Sequence, residues 1–314
     1  MKLNSIKFIF LMLVLSLTSC YEDYIEDYEV TSTGFAISNP LRTVVANRDP
    51  IYVGVSIGGK REVDTKDWAT FELDESLLEG TGLILLPDDY YTLSNPNTFT
   101  VRKSNLPVAD VRIDFTDKFF EDDNCLKKYY ALPFKVTDSS LDEIREGAET
   151  SVVAIKYIST FSGTYYLTGS VQEVNMDGSS IEGMEPVLYG EGIDIIKWPT
   201  CNITTLAKNK ILRPGIANET AGDKNAIRLI IENNNEIGGD YNVKVEVNNG
   251  NINILESEGK YITKGEYTFN GNGDKPCPQI DLEYIYESGN KYYKVSEKLV
   301  LRRDPLGDLR VEMW

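Results

Sequence analysis

From residue 34 onward, apolar and polar residues alternate in short runs separated by clusters of Gly, Pro, Asn and Asp. Alternation at every second position sorts side chains onto the two faces of an extended chain, so the pattern predicts half-buried β-strands. In the first half such runs fall near residues 34–38, 42–46, 51–57, 68–73, 97–102, 108–115, 129–136 and 151–158. Val111, Ile113 and Phe115 alternate with Arg112 and Asp114, giving one buried and one wet face. Short strands at this density, over roughly 125 residues, fit a two-sheet sandwich of immunoglobulin-like proportions.

The second half is more regular. Asn242 to Val247 alternates strictly, Asn249-Gly250 tolerates a positive φ, and Ile252 and Ile254 resume the alternation, which predicts a hairpin. A second hairpin is expected where 279–286 and 291–301 flank Glu287-Ser288-Gly289-Asn290, and further runs lie at 164–174, 187–196, 202–207, 226–232 and 265–269. Sequential hairpin-linked strands of this number point to an up-and-down, lipocalin-like antiparallel barrel, whose closure removes exposed edges. Helix signals are limited to 74–80 and 140–147, each ending at a glycine suited to a helix C-terminus. The length favours two cores over one. The expected organisation is a signal segment 1–19, a tether 20–33, a sandwich 34–159 and a barrel 160–314, the break falling at Thr160-Phe161-Ser162-Gly163.

The first nineteen residues carry Lys2 and Lys7, then an apolar stretch too short to span a bilayer core of about 30 Å. They end at Leu17-Thr18-Ser19-Cys20, which resembles a bacterial lipobox. Cys20 would then be the acylated first residue of the mature chain, the alternative being an ordinary signal peptide with an incidental cysteine. Acyl chains at about 0.8 kcal/mol per buried CH₂ give a lasting anchor, so the protein is expected in the outer membrane, lipid-held. Residues 21–29 hold five acids in nine positions. They read as a solvated tether and resemble the acidic export signal of Bacteroidetes surface lipoproteins, which implies display outside the cell.

Composition then excludes several functions. Past residue 19 the chain carries 30 basic and 49 acidic side chains, a net of −19, which opposes nucleic-acid binding. There is no histidine, so Ser-His-Asp catalysis and histidine-ligated metals are absent. Cys125, Cys201 and Cys277 are too few for a four-cysteine zinc site. Cys201 and Cys277 could pair as a disulfide, or all three could be small buried apolar groups.

Several stretches resemble a known lipoprotein family. Leu85-Leu86-Pro87-Asp88-Asp89-Tyr90-Tyr91-Thr92-Leu93, Thr98-Phe99-Thr100-Val101 and Tyr129-Tyr130-Ala131-Leu132-Pro133-Phe134-Lys135-Val136 are similar to a β-sandwich domain of unknown function. That domain occurs in Bacteroidetes surface lipoproteins of polysaccharide-utilisation loci and ahead of some glycoside hydrolase family 18 endoglycosidases. Residues 162–169 and 293–302 resemble its calycin-like partner domain. The resemblance implies a non-catalytic lipoprotein that takes a polysaccharide or oligosaccharide ligand, working beside a TonB-dependent transporter or a surface hydrolase, and it implies no cofactor. A scaffold for a surface complex is the competing expectation, with a weak carboxylate-pair glycosidase behind it.

Candidate chemistry is sparse. Family 18 hydrolases need an Asp-x-Asp-x-Glu strand end, whereas residues 190–198 offer only Asp194, read as a polar strand residue. Asn175 to Ser180 has the flavour of a calcium loop, but Glu173 and Met184 occupy its end positions, so a turn is expected and no metal. Pyranose rings pack their apolar face on flat aromatics. Trp68, beside Lys66 and Asp67, and Trp198, before Pro199, are therefore the candidate sugar platforms, with core packing as the plainer alternative. The Tyr pairs 90–91, 129–130, 165–166 and 292–293 read as one ring in and one out.

Overall fold

In the computed structural model, which describes residues 29–303, 305–309 and 312–314 apart from 48–49, 61–62, 104, 193, 222–224, 233–238 and 269–275, the alternating runs form two β-structures. Cys20 and the acidic residues 21–28 lie outside the described residues.

The first half is built on a mixed sheet of twelve strands, one of them from the C-terminus, folded over a large core with a second, smaller cluster around Leu41, Ala131 and Val152. In Ile51–Gly58 the alternation is complete: Ile51, Val53, Val55 and Ile57 are buried and the residues between them are not. It pairs antiparallel with Val108–Phe115, whose Val111 and Ile113 are buried. On the other side of the core, Tyr130–Ser139 lies between Trp68–Leu73 and Thr150–Ile158. Thr98–Val101 bonds to both Trp68–Leu73 and Val108–Phe115 and joins the two sides. The core centres on rings: Phe71 stacks on Phe99 at 4.4 Å and meets Phe134 edge-on at 5.2 Å. Parallel pairings, such as Thr150–Ile158 with Pro40–Val45, make the sheet mixed.

Local expectations fared unevenly. Residues 75–78 form a short 3₁₀ turn capped by Asp74, ahead of Gly80 at φ 74°. Residues 140–147 are not helical: Glu143–Ile144 pairs with Ser32–Thr33, and the amides of Glu143 and Arg145 donate to the carbonyls of Thr31 and Thr33. A strand neighbour satisfies the backbone there, so the helix is not needed. Asp117–Glu121 is helical without having been foreseen, because it seats Phe119 in the core against Phe115 at 4.4 Å.

The second half is a closed antiparallel barrel of eight strands: Gly163–Val174, Thr200–Ala207, Lys210–Arg213, Ile227–Glu232, Tyr241–Val247, Ile252–Ile262, Gln279–Ser288 and Lys291–Leu301. Each pairs with the next, and the last returns to the first over ten residue pairs from Tyr165↔Leu301 to Val174↔Tyr292. Gly289 and Asn290, at φ 56° and 65°, make the two-residue turn whose twist matches a hairpin. The expected run 187–196 shrinks to the strand Val187–Tyr189, since Gly190 and Gly192 take φ 65° and 98° and break it. Of the expected run 265–269, the described residues 265–268 hold no barrel strand, and Lys210–Arg213 supplies the missing one.

The halves are tied at their junction and again by the C-terminus. Ser159 donates from its amide to the Thr205 hydroxyl at 2.9 Å and from its own hydroxyl to the Lys208 carbonyl at 2.7 Å. After the barrel, Glu312–Met313 joins Pro40–Val45 as an edge strand. Trp314 covers Leu41, Ala131 and Val152, and its indole donates to the Val152 carbonyl at 2.9 Å. Trp314→Ala is expected to destabilise the first half by about 1–3 kcal/mol, since it removes a large apolar cover and strands a carbonyl. Chemical unfolding of the variant should show the loss, and an unchanged midpoint would refute the clamp.

Candidate functional site

Lipocalin-like barrels hold ligands inside when the interior is hollow. This interior is filled. Tyr165, Leu167, Ile203, Ile211, Leu229, Ile280, Leu282, Val295 and Leu299 pack into one core. Within the same wall Arg213 and Glu297 are wholly buried and meet at 3.1 Å. Arg213 also donates to the carbonyls of Pro214, Ala217 and Glu219, and the Tyr189 hydroxyl donates to Glu297 Oε2 at 3.1 Å. A Cβ at Gly169 would lie 2.8 Å from that hydroxyl, so glycine is what lets Tyr189 approach. Burial drives the Glu297 carboxyl up against the pull of Arg213 and Tyr189. Burial alone would lower the Arg213 guanidinium, but Glu297 beside it turns the net direction upward.

The open space lies at the barrel end that faces the first half, in a cleft of about 430 Å³. Its floor is aromatic. Phe161 comes from the connection between the halves, where its amide donates to the Ser159 hydroxyl and its carbonyl accepts from the Tyr165 hydroxyl. Tyr241 opens one strand and Tyr261 lies near the end of the next, directly opposite it in register. The Phe161 ring meets Tyr261 edge-on at 4.7 Å and Tyr241 at 5.7 Å. Phe161 and Tyr261 are buried and Tyr241 is half-buried. Asn47, Lys208, Asn209 and Thr263 form a polar rim. The described lining residues include no carboxylate.

A groove of similar size, about 440 Å³, runs over the outer barrel wall between Thr168, Lys260, Asp281 and Lys298. It has no aromatic ring among its described lining residues, and two of its charged groups are engaged: Lys298 pairs with Glu266, and Gln279 donates to both oxygens of Asp281. The cleft sets one half-buried ring, Tyr241, beside hydroxyl, amide and ammonium groups, so it is the better candidate.

The two tryptophans go elsewhere. Trp68 is half-buried on the strand Trp68–Leu73, its amide donating to the Ser140 hydroxyl. Trp198 is 7% exposed, packs edge-on against Tyr267 at 5.4 Å beside Tyr166, Cys277 and Val300, and donates from its indole to the Gly192 carbonyl. Its ring faces into the wall, and neither tryptophan lines the cleft. Asp194 is no strand residue: it caps the 3₁₀ turn Ile195–Lys197 and pairs with Lys197. Asn175 to Ser180 is a turn, with Gly178 at φ 78° and the Asp177 carboxylate accepting from the Ser179 amide. Cys125, Cys201 and Cys277 are buried, and none of the three is in a disulfide. No Cys201–Cys277 disulfide forms because one packs in the barrel core and the other in the outer-wall cluster with Trp198. Burial pushes the Cys125 thiol up to about 12 and that of Cys201 to about 11, so both stay protonated. Phe161, Tyr241 and Tyr261 were not foreseen as site residues, because only strand register brings them together.

Comparison with known proteins places the fold. Residues 21–143 match a family model described as "-like, N-terminal domain". A Bacteroides ovatus protein of unknown function superposes with a TM-score of 0.68 at 20% identity, covering 92% of this chain and 99% of that one. The two-part architecture is thus shared at low identity. Bacteroides thetaiotamicron EndoBT-3987, solved with a Man5GlcNAc product, aligns at 20% identity and TM-score 0.29 over 39% of this chain and 31% of its own. A putative carbohydrate binding protein from Bacteroides ovatus aligns at 13% identity and TM-score 0.28 over 81% and 80%. Both superpositions are too loose to carry an argument. No curated protein matches the sequence.

The buried ion pair makes a sharp prediction. Arg213→Met or Glu297→Leu alone is expected to cost about 3–5 kcal/mol by leaving an uncompensated buried charge. The double variant should recover part of that loss, though the carbonyls of Pro214, Ala217 and Glu219 would still lack their donor. Denaturant titration of the three variants checks this, and additive losses would refute it.

Proposed function

We propose that this protein is a non-catalytic lipoprotein of the outer cell surface that binds a glycan in the cleft between its two halves. The observation that carries the reading is the half-buried Tyr241 ring, braced edge-on by the buried Phe161 and beside Tyr261, next to a rim of amide, hydroxyl and ammonium groups. Sugar recognition uses that combination: ring carbons lie on the aromatic surface and hydroxyls bond to the rim. Sequence resemblance supports the same reading, with Cys20 as the acylated anchor, the acidic residues after it as the route to the surface, and a neighbouring transporter or hydrolase as the recipient of the glycan.

A scaffold role is the second reading, favoured by the filled barrel and by the C-terminal clamp that fixes one half against the other. Affinity electrophoresis and calorimetry against host and plant polysaccharides separate the two. The binder should show saturable affinity for at least one glycan, and Tyr241→Ala, which trims a half-buried ring, should weaken it at least about tenfold. Null results across the panel with folded protein would sink the binding reading. Anchoring has its own test: growth with an alkyne-tagged palmitate should label the wild type, whereas Cys20→Ser should be unlabelled and leave the membrane fraction.

A further inference from the structure

The cleft does not end at the barrel. A second cavity of about 190 Å³ adjoins it, and Asn47 and Lys208 line both. The far wall of this second cavity comes from the first half of the chain: Pro50, Phe115, Phe120, Asp114 and Asp117. Taken together the two spaces make a trough parted by Asn47 and Lys208, with aromatic rings at the barrel end and acids at the other.

The charges along it are already engaged. Lys208 is the one cation among the described lining residues of both cavities. Its Nζ lies 2.8 Å from Asp117 Oδ1 and 5.3 Å from the centre of the Phe120 ring. Lys208 holds the Asp117 carboxyl below its ordinary range. Asp114 takes the Arg112 guanidinium at 2.9 Å. An anionic chain entering the trough would have to pull Lys208 away from Asp117, in a protein of net charge −17. A neutral sugar meets no such obstacle, because its hydroxyls can donate to the remaining carboxylate lone pairs and accept from the Asn47 amide.

Resting on the glycan reading above, we propose that the ligand is a neutral oligosaccharide lying along both cavities. One sugar packs on the Tyr241 ring, and a following sugar bonds to Asn47, Lys208 and Asp117 across the domain junction. Asn47 offers a clean probe of the second position. Its φ of 59° is left-handed, so Asn47→Gly removes the amide side chain without straining the backbone. Asp117 is 82% exposed at its side chain, so Asp117→Asn leaves the fold intact.

Calorimetry on the mature full-length chain, at fixed ionic strength, would compare neutral hexasaccharides and disaccharides of mannan, xylan, cellulose and starch with heparin, chondroitin sulfate and polygalacturonate fragments. For the neutral series that binds, Asn47→Gly and Asp117→Asn should each weaken the hexasaccharide about tenfold and change the disaccharide less than about twofold. Tyr241→Ala should weaken both lengths alike. Equal losses on both lengths, or none, from Asn47→Gly and Asp117→Asn would overturn the extension across the junction. Tighter binding of the sulfated or uronate fragments would overturn the neutral assignment, in either case with glycan binding intact. Binding that is absent for every sugar, or indifferent to Tyr241→Ala, would overturn the glycan reading itself.

Discussion

The rest of the second half depends on the closing seam, where Gly163–Val174 meets Lys291–Leu301 in one fixed register. A slip of one residue would turn Tyr165, Leu167, Val295 and Leu299 out to solvent, and the whole interior with them. Closure thus decides at once which side chains fill the barrel and which strand ends meet at its rim. The cleft's rings are set by a second register, that of Tyr241–Val247 with Ile252–Ile262, which places Tyr241 opposite Tyr261.

Filling the interior removes the option that lipocalin-like folds most often use. The Arg213–Glu297 pair sits where a ligand chamber would otherwise open, tied to three loop carbonyls and a tyrosine hydroxyl. Its energetic worth relative to apolar filling is small or negative, but either partner alone would be intolerable. The pair also pins residues 214–219 over the far end of the barrel. With that end occupied, space for a ligand is left on the side facing the first half, among the described residues.

Strand periodicity was readable from the chain because it is local: Ile51–Gly58 and Tyr241–Val247 show it residue by residue. What failed locally failed for long-range reasons. The run 187–196 looked like a buried strand, yet Val187, Leu188 and Ile196 are exposed once the glycines at 190 and 192 turn the chain away. The helix expected at 140–147 lost to pairing with residues more than a hundred positions earlier. Tryptophan drew attention as a sugar platform because of its size, but size also makes it good wall filling, and Trp198 went into the wall. Glu297 was legible in principle: it falls in phase with Val295, Leu299 and Leu301, an acid at an inward position that demands a buried partner. Phe161, Tyr241 and Tyr261 left no comparable mark, being separated by 80 and 20 positions and joined only by topology.

Rigid placement of the two halves follows from how their ends are used. The connection is only a few residues long, and Ser159 is bonded to two barrel groups within it. The C-terminus then returns to the first sheet, so the chain crosses the junction twice. Two crossings suppress the relative motion that a single linker would permit. A trough built from both halves is therefore preorganised, and a ligand spanning it would not have to order the domains as it binds.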